Sequence, residues 1–273
     1  MPAFIFDIET GPLPDEALYR AVEPYPEFRP YPELQPFDEA SVKLGNLKDE
    51  AKIKEKIEAA RLSHASDHEL AKSTHLADYD RGRVEYFAGI KSKAALAAET
   101  GQVLAIGFAG HDQVISAMKA GNAHEAVYID SQAAASHGEI GLLQRFWARY
   151  TKCVSAGAPL IGFNSLAFDL PFMMRRSWLL GVTIPMGLLD KGRYWNPILV
   201  DLLAIWRCGQ FGGGGFNGSI SLNRLALAMG IPGKSGSGAE FARLWVEDRV
   251  AAIDYLRQDI IVTDSIAAAM GVC

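Results

Sequence analysis

An apolar run, Ala3-Phe4-Ile5-Phe6, ends in two acids one residue apart, Asp7 and Glu9. Successive side chains of a β-strand point to opposite faces, so these two project from the same face, about 6–7 Å apart along the backbone. The apolar neighbours indicate a strand buried on both faces. Carboxylates there are costly unless they are protonated, paired or bound to a cation, and a divalent metal is the simplest remedy. An isolated D-x-E is more often a strand end that faces water. The weight therefore falls on which other acids the chain can bring to the same place.

A length of 273 residues, with 49% hydrophobic and 22% charged residues, suits one large globular domain or two small ones. The formal net charge of −5 argues against a chain that coats nucleic acid by bulk electrostatics, while leaving room for a local basic groove around an acidic site. Cys153, Cys208 and Cys273 are far apart, with neither C-x-x-C nor zinc-type histidine spacing, and are expected as reduced thiols. A basic stretch leading into an apolar h-region is missing, and so is any apolar run of about 18–20 residues, so a cytoplasmic protein with no membrane partner is expected.

After Thr10 the pattern breaks at Gly11-Pro12-Leu13-Pro14, and a passage rich in proline and tyrosine follows (Pro24, Pro26, Pro30, Pro32, Pro36), expected to wrap over the surface. Residues 46–58 mix charges with a thin apolar stripe (Leu47, Ile53, Ile57), which predicts a solvent-facing helix capped near Asn46. A flap whose lysines, Lys48, Lys52, Lys54 and Lys56, meet phosphates is the alternative to a plain solvated face.

Strands are expected over 101–110, about 126–130 and 159–164, with an amphipathic helix over 137–153. Further helices are expected over 171–180, 199–208 and 222–229, and one long helix over 246–270. The order of strands and helices predicts a mixed α/β sheet, in which sites lie beyond the carboxyl ends of strands. Asp169 follows such a strand. Tyr255 and Asp259 are four residues apart on the last helix and share a face. The glycine-rich stretch 209–218 lacks the Lys-Ser/Thr of a phosphate loop and reads as a mobile loop, with Phe211 and Phe216 open to base stacking. Asp201 reads as a helix N-cap rather than a further ligand.

Three pieces thus stand in order: Asp7-x-Glu9, Asn164-x-x-x-Phe168-Asp169, and Tyr255-x-x-x-Asp259. In this arrangement the chain resembles the DEDD (DnaQ-like) 3′–5′ exonucleases of the ribonuclease-H-like fold, in their tyrosine (DEDDy) branch, and among them the stand-alone exonucleases related to the proofreading domains of family B DNA polymerases. The stretches from Thr100 to Gly107, from Ser221 to Ala226 and from Gly230 to Lys234 are similar as well. The resemblance covers residues 1–13 and 99–273. It implies a single exonuclease domain over 1–273, a mixed β-sheet flanked by helices, with 14–98 as a largely helical or irregular insertion after the first strand. Leu256 stands where many relatives carry a cysteine, which removes no ligand.

The resemblance also implies a chemistry. Two divalent ions, Mg²⁺ or Mn²⁺, would be held about 3.5–4 Å apart by hard oxygen ligands. Asp7 would bridge them, Glu9 and Asp259 would complete one site, and Asp169 would hold the other ion. Tyr255 would orient the attacking water. Thr10, Asn164, Phe168 and Lys234 are the expected substrate contacts, Lys234 through a phosphate. Nucleoside 5′-monophosphates would be released from the 3′ end of single-stranded or frayed DNA. A polymerase or recombination partner is conceivable, and the alternative is a catalytically silent nucleic-acid-binding or partner-dependent proofreading subunit of the same fold. A dehalogenase-type phosphatase, D-x-D-x-T, fails because Glu9 and Gly11 stand at the required Asp and Thr.

Overall fold

The strand that carries the two acids, β1 (Phe4–Pro12), lies in the middle of a five-stranded sheet. The computed structural model describes all residues except 1, 133–136, 187, 191–192, 195–196, 209–219, 235 and 237. Contacts divide the chain into two units, Met1–Val22 with Lys93–Cys273, and Glu23–Ser92. In chain order the elements after β1 are α1 (Asp15–Ala21), α2 (Glu50–Ala94), β2 (Gly101–Gly110), α3 (His111–Lys119), β3 (Tyr128–Ser131), α4 (Gly138–Ala156), β4 (Leu160–Gly162) and α5 (Asp169–Leu179). They are followed by a small hairpin, β5 (Leu189–Asp190) and β6 (Arg193–Tyr194), then β7 (Leu199–Asp201), α6 (Leu202–Trp206), α7 (Leu222–Ala228), α8 (Gly238–Glu247) and α9 (Arg249–Ala269).

The main sheet runs β3-β2-β1-β4-β7. β1 pairs with β2 antiparallel and with β4 parallel, β3 pairs antiparallel with β2, and β7 is parallel to β4. Only β2 opposes the others, which is the mixed, ribonuclease-H-like α/β arrangement. Alternation sorts the two faces of the sheet. Phe6, Ile8, Val103 and Ile106 pack on Leu143, Phe146 and Trp147 of α4 and Met173 of α5. On the other face Ile5, Ala109 and Ile161 pack on Ile260 and Ile266 of α9 and Leu225 of α7. A third cluster joins Leu104 and Ala105 to Phe241 and Trp245 of α8 and to Tyr255 and Leu256 of α9.

The observed elements correct four sequence readings. The run expected as one helix over 199–208 begins as strand β7, because Leu199 and Val200 pair with Leu160 and Ile161 before Asp201 caps α6. The long helix over 246–270 is two helices, interrupted at Asp248, whose side chain accepts from Ala251 N as a new N-cap. The third strand starts at Tyr128, since Ala123–Ala126 forms a 3₁₀ turn instead. The cap of α2 is Asp49 rather than Asn46: its Oδ1 accepts from Ala51 N and Lys52 N. The glycine-rich stretch 209–218, with Phe211 and Phe216, lies outside the described residues apart from its flanks.

The second unit consists of an extended strap and α2. Tyr25, Phe28, Tyr31 and Phe37 on the strap meet Tyr86, Tyr79, His75, His68 and His64 on the helix in reverse order, with ring centroids 5.0–5.6 Å apart. Strap carbonyls at every third residue accept from the helix: Glu23 from Tyr86, Pro26 from Tyr79, Arg29 from His75 and Pro32 from His68, at 2.8–3.0 Å. Three residues per turn is the period of the polyproline II helix, which the five prolines of 24–36 favour. No described helix is long and apolar enough to cross a membrane.

Candidate active site

Asp7 and Glu9 occupy one face of β1, the face that α9 covers. A bulge between Glu9 and Thr10 breaks the regular pairing with β2 just past the acids. Thr10 Oγ1 there donates to the Ala95 carbonyl at 2.7 Å, so its hydroxyl is engaged within the fold. Opposite Asp7 in the antiparallel register stands Gly107. A Cβ at position 107 would lie 2.7 Å from Cγ1 of Ile260. The missing side chain lets α9 rest directly on the sheet, and the residue before Ile260 is Asp259.

Asp7, Glu9 and Asp259 each offer a carboxylate oxygen to a group in which all lie within 4.8 Å of one another. Asp169 joins from the first turn of α5: its Oδ1 accepts from Ile8 N at 3.2 Å, and its charge acts on Asp7. Tyr255 stands one turn before Asp259 on α9, and its hydroxyl shares the Lys234 ammonium with that residue. The structure therefore brings together all five residues expected at the catalytic centre.

Lys234 enters the same cluster. Its ammonium lies 2.5 Å from Tyr255 Oη and 2.5 Å from Asp259 Oδ2, and 4.2 Å from the centre of the tyrosine ring. Asp259 Oδ1 is buried and receives no hydrogen bond, although the same ammonium is in ion-pair contact with it. Lys234 N is held by Asn223 Oδ1 of α7 at 2.9 Å, and a Cβ on Gly233 would stand 2.2 Å from that oxygen. This brace is the physical content of Ser221-Leu222-Asn223 and Gly233-Lys234: the first stretch caps and starts α7, and the second can approach it only as glycine.

The electrostatics follow from burial. Desolvation, then the charges of Asp169, Asp259 and Glu9, push Asp7 well above the usual carboxylate range, with Lys234 opposing. Glu9 is raised well above its ordinary value by burial and by Asp259, again opposed by Lys234. Burial raises Asp169 to about 7 against the hydrogen bond from Ile8. Burial also raises Asp259, against its bond from Lys234. Tyr255 is raised by burial and by the charges of Asp259, Glu9 and Asp7, so it stays a phenol and can only donate or accept a hydrogen bond. Hard oxygen donors, mutual repulsion and an ammonium already drawn in all fit a divalent cation.

An open groove of about 450 Å³ is lined by Asp7 and Asp169 together with Phe163, Asn164, Phe168, Arg207 and Ser221. Asn164, in the left-handed region at φ 60°, turns the chain after β4. Asp201 fixes that turn: its carboxylate accepts from Asn164 N, Leu166 N and Leu203 N at 2.9–3.0 Å. Phe168 lines the groove and leans on Phe172. The sequence marked Asp201 as a cap but carried no sign that it also braces the Asn164 turn. Nor did it single out Arg207 or Asn223, whose neighbours become visible only when β4, β7 and α7 are assembled. A second groove, about 530 Å³ and more apolar, contains Phe4, Phe108, Arg149 and Lys152 but no carboxylate.

A family model described as a predicted 3′–5′ exonuclease related to the exonuclease domain of PolB matches residues 111–266. The matched stretch contains Asn164, Phe168, Asp169, Lys234, Tyr255 and Asp259, while Asp7 and Glu9 precede it. No curated protein matches the chain.

Proposed function

Because the chain belongs to the family of predicted 3′–5′ exonucleases related to the exonuclease domain of PolB, we propose that it is a metal-dependent exonuclease of the tyrosine branch. We take 1–273 as one exonuclease domain carrying 14–98 as an insertion. Its substrate is the 3′ end of single-stranded or frayed DNA, and its products are nucleoside 5′-monophosphates. The observation that carries this reading is the meeting of Asp7, Glu9 and Asp259 within 4.8 Å, with Asp7 and Asp169 lining an open groove.

Asp7, Glu9 and Asp259 would hold one Mg²⁺ or Mn²⁺, and Asp7 with Asp169 a second. When bound, the ions supply a hydroxide near neutral pH and neutralise charge on the phosphate and the departing 3′ oxygen. Tyr255 positions the attacking water with its hydroxyl, since it stays protonated. Arg207 meets a phosphate along the groove, while Phe163 and Phe168 give the terminal base an apolar seat. Lys234 balances the acids before the ions arrive and turns to a phosphate once they do.

The test uses 5′-labelled single-stranded DNA and RNA of one sequence with Mg²⁺, Mn²⁺ or chelator, alongside Asp7→Ala. A ladder shortening from the 3′ end, dependent on metal and at least ~10²-fold slower in the variant, supports the assignment and gives the sugar preference. Intact substrate under every condition, with nucleic acid still bound, would replace it by a silent or partner-dependent module.

A further inference from the structure

Away from the acid cluster, three chemically unlike ligands converge. His111 opens α3, Asp264 lies on α9, and Cys273 follows the end of α9. The His111 ring presents Nδ1 to Asp264 Oδ1 at 2.8 Å and to Cys273 Sγ at 3.4 Å. Asp264 is fully buried, and its Oδ2 has no hydrogen-bond partner. A buried carboxylate with half its acceptors unused is costly, and a histidine on one oxygen satisfies only part of it.

The chain is shaped to make this meeting. After α9, Gly271 takes φ 68°, Gly271 N donates to Ala268 O, and Val272 N donates to Ala267 O. That is a Schellman turn, which glycine enters without a Cβ penalty. It folds the backbone back so that Cys273 reaches His111. At the other side His111 N donates to Ala3 O, which pins the start of α3 against the sheet. Asp264 is five residues beyond Asp259, about 140° further round α9, so the two acids serve different faces.

We propose that His111, Asp264 and Cys273 form a second metal site, for a borderline-soft divalent ion of the zinc class, distinct from the Mg²⁺ or Mn²⁺ site of the proposed nuclease. Imidazole, carboxylate and thiolate together select zinc over magnesium, which prefers oxygen alone and near-octahedral geometry. With bonds of about 2.0–2.3 Å, donor atoms of a tetrahedral zinc centre stand about 3.3–3.6 Å apart. Sulfur already stands at that spacing from Nδ1, and the carboxylate oxygen needs to retreat by about 0.5 Å. Binding displaces the thiol proton of Cys273 and the proton shared between His111 Nδ1 and Asp264 Oδ1, both of which go to solvent. Water completes the fourth position. The ion clamps the last turn of α9, the helix that carries Tyr255 and Asp259, to the start of α3.

The test is a titration of the chelator-stripped full chain with Co²⁺, a spectroscopic substitute for Zn²⁺. The expected result is a sulfur-to-cobalt charge-transfer band that saturates at one equivalent. It survives in Asp7→Ala, Cys153→Ser and Cys208→Ser, disappears in Cys273→Ser, and needs at least ~10-fold more cobalt in His111→Ala. No such band, or a band retained in Cys273→Ser, overturns the proposal. Cys273 is exposed, so its serine variant keeps the fold. The Asp7→Ala arm separates this outcome from any failure of the exonuclease reading, which loses cleavage without losing the band.

Discussion

Lys234 stands where a cation is wanted, and this sets its behaviour. Its ammonium is bonded to Asp259 and Tyr255 inside a ring of acids. In Lys234→Met the competing charge is gone, so Mn²⁺ binds several-fold more tightly by calorimetry, and cleavage falls about 10-fold because the phosphate loses its cation. The direction in which this side chain points could not be read from Gly233-Lys234-Ser235, which offers only an exposed-looking loop. The local pairs of the cluster were legible: Asp7 and Glu9 share a face by the strand period, and Tyr255 and Asp259 by the helix period. Those spacings are local, whereas the lysine's position depends on Asn223, eleven residues earlier.

Asp169 gives a pH test with a definite sign. Its folded value of about 7 lies above the ordinary carboxylate range, so the folded state binds its proton more tightly than the unfolded chain does. Its contribution to stability is therefore complete below about pH 4 and is lost as pH rises through 7. In chelator, wild type loses melting temperature between pH 5 and pH 8 more steeply than Asp169→Asn does. Mg²⁺ reduces the difference, which a thermal scan at the two pH values reads directly.

At the scale of elements, the contact between β2 and α9 sets the site. Gly107 leaves no room for a Cβ beneath Ile260. Gly107→Val lifts α9 from the sheet, costs about 1–3 kcal/mol as an overpacked core position, and lowers cleavage more than it lowers thermal stability, because Asp259 moves with the helix. A denaturation curve beside a rate measurement checks both. The elements that resisted sequence reading did so for physical reasons. Leu199 and Val200 form a short apolar run that strand and helix share equally, and only pairing with β4 decides. Apolar periodicity continues from Val246 to Val250, yet both are exposed and Asp248 restarts the helix between them. The strap's aromatics were visible as letters, but their partners on α2 lie between 27 (Phe37 to His64) and 61 (Tyr25 to Tyr86) residues away. Tyr79 joins two strap rings and one strap carbonyl. Tyr79→Ala loosens the strap by about 1–3 kcal/mol, seen as faster hydrogen exchange over 23–37, with the melting of the sheet unit unchanged.

For the molecule as a whole, the two units rest on different kinds of cohesion. The sheet unit is held by clusters on both faces, whereas the unit of 23–92 is a strap zipped to one helix with most of its surface in water. β1 is paired on both edges and covered on both faces, so its amides open only when the sheet does. Because Asp7 and Glu9 ride on that strand, half of the acid cluster has no way to come apart ahead of global unfolding. Heat should therefore silence the site and melt the sheet in a single cooperative step, and the loss of activity then serves as a thermometer for the sheet unit.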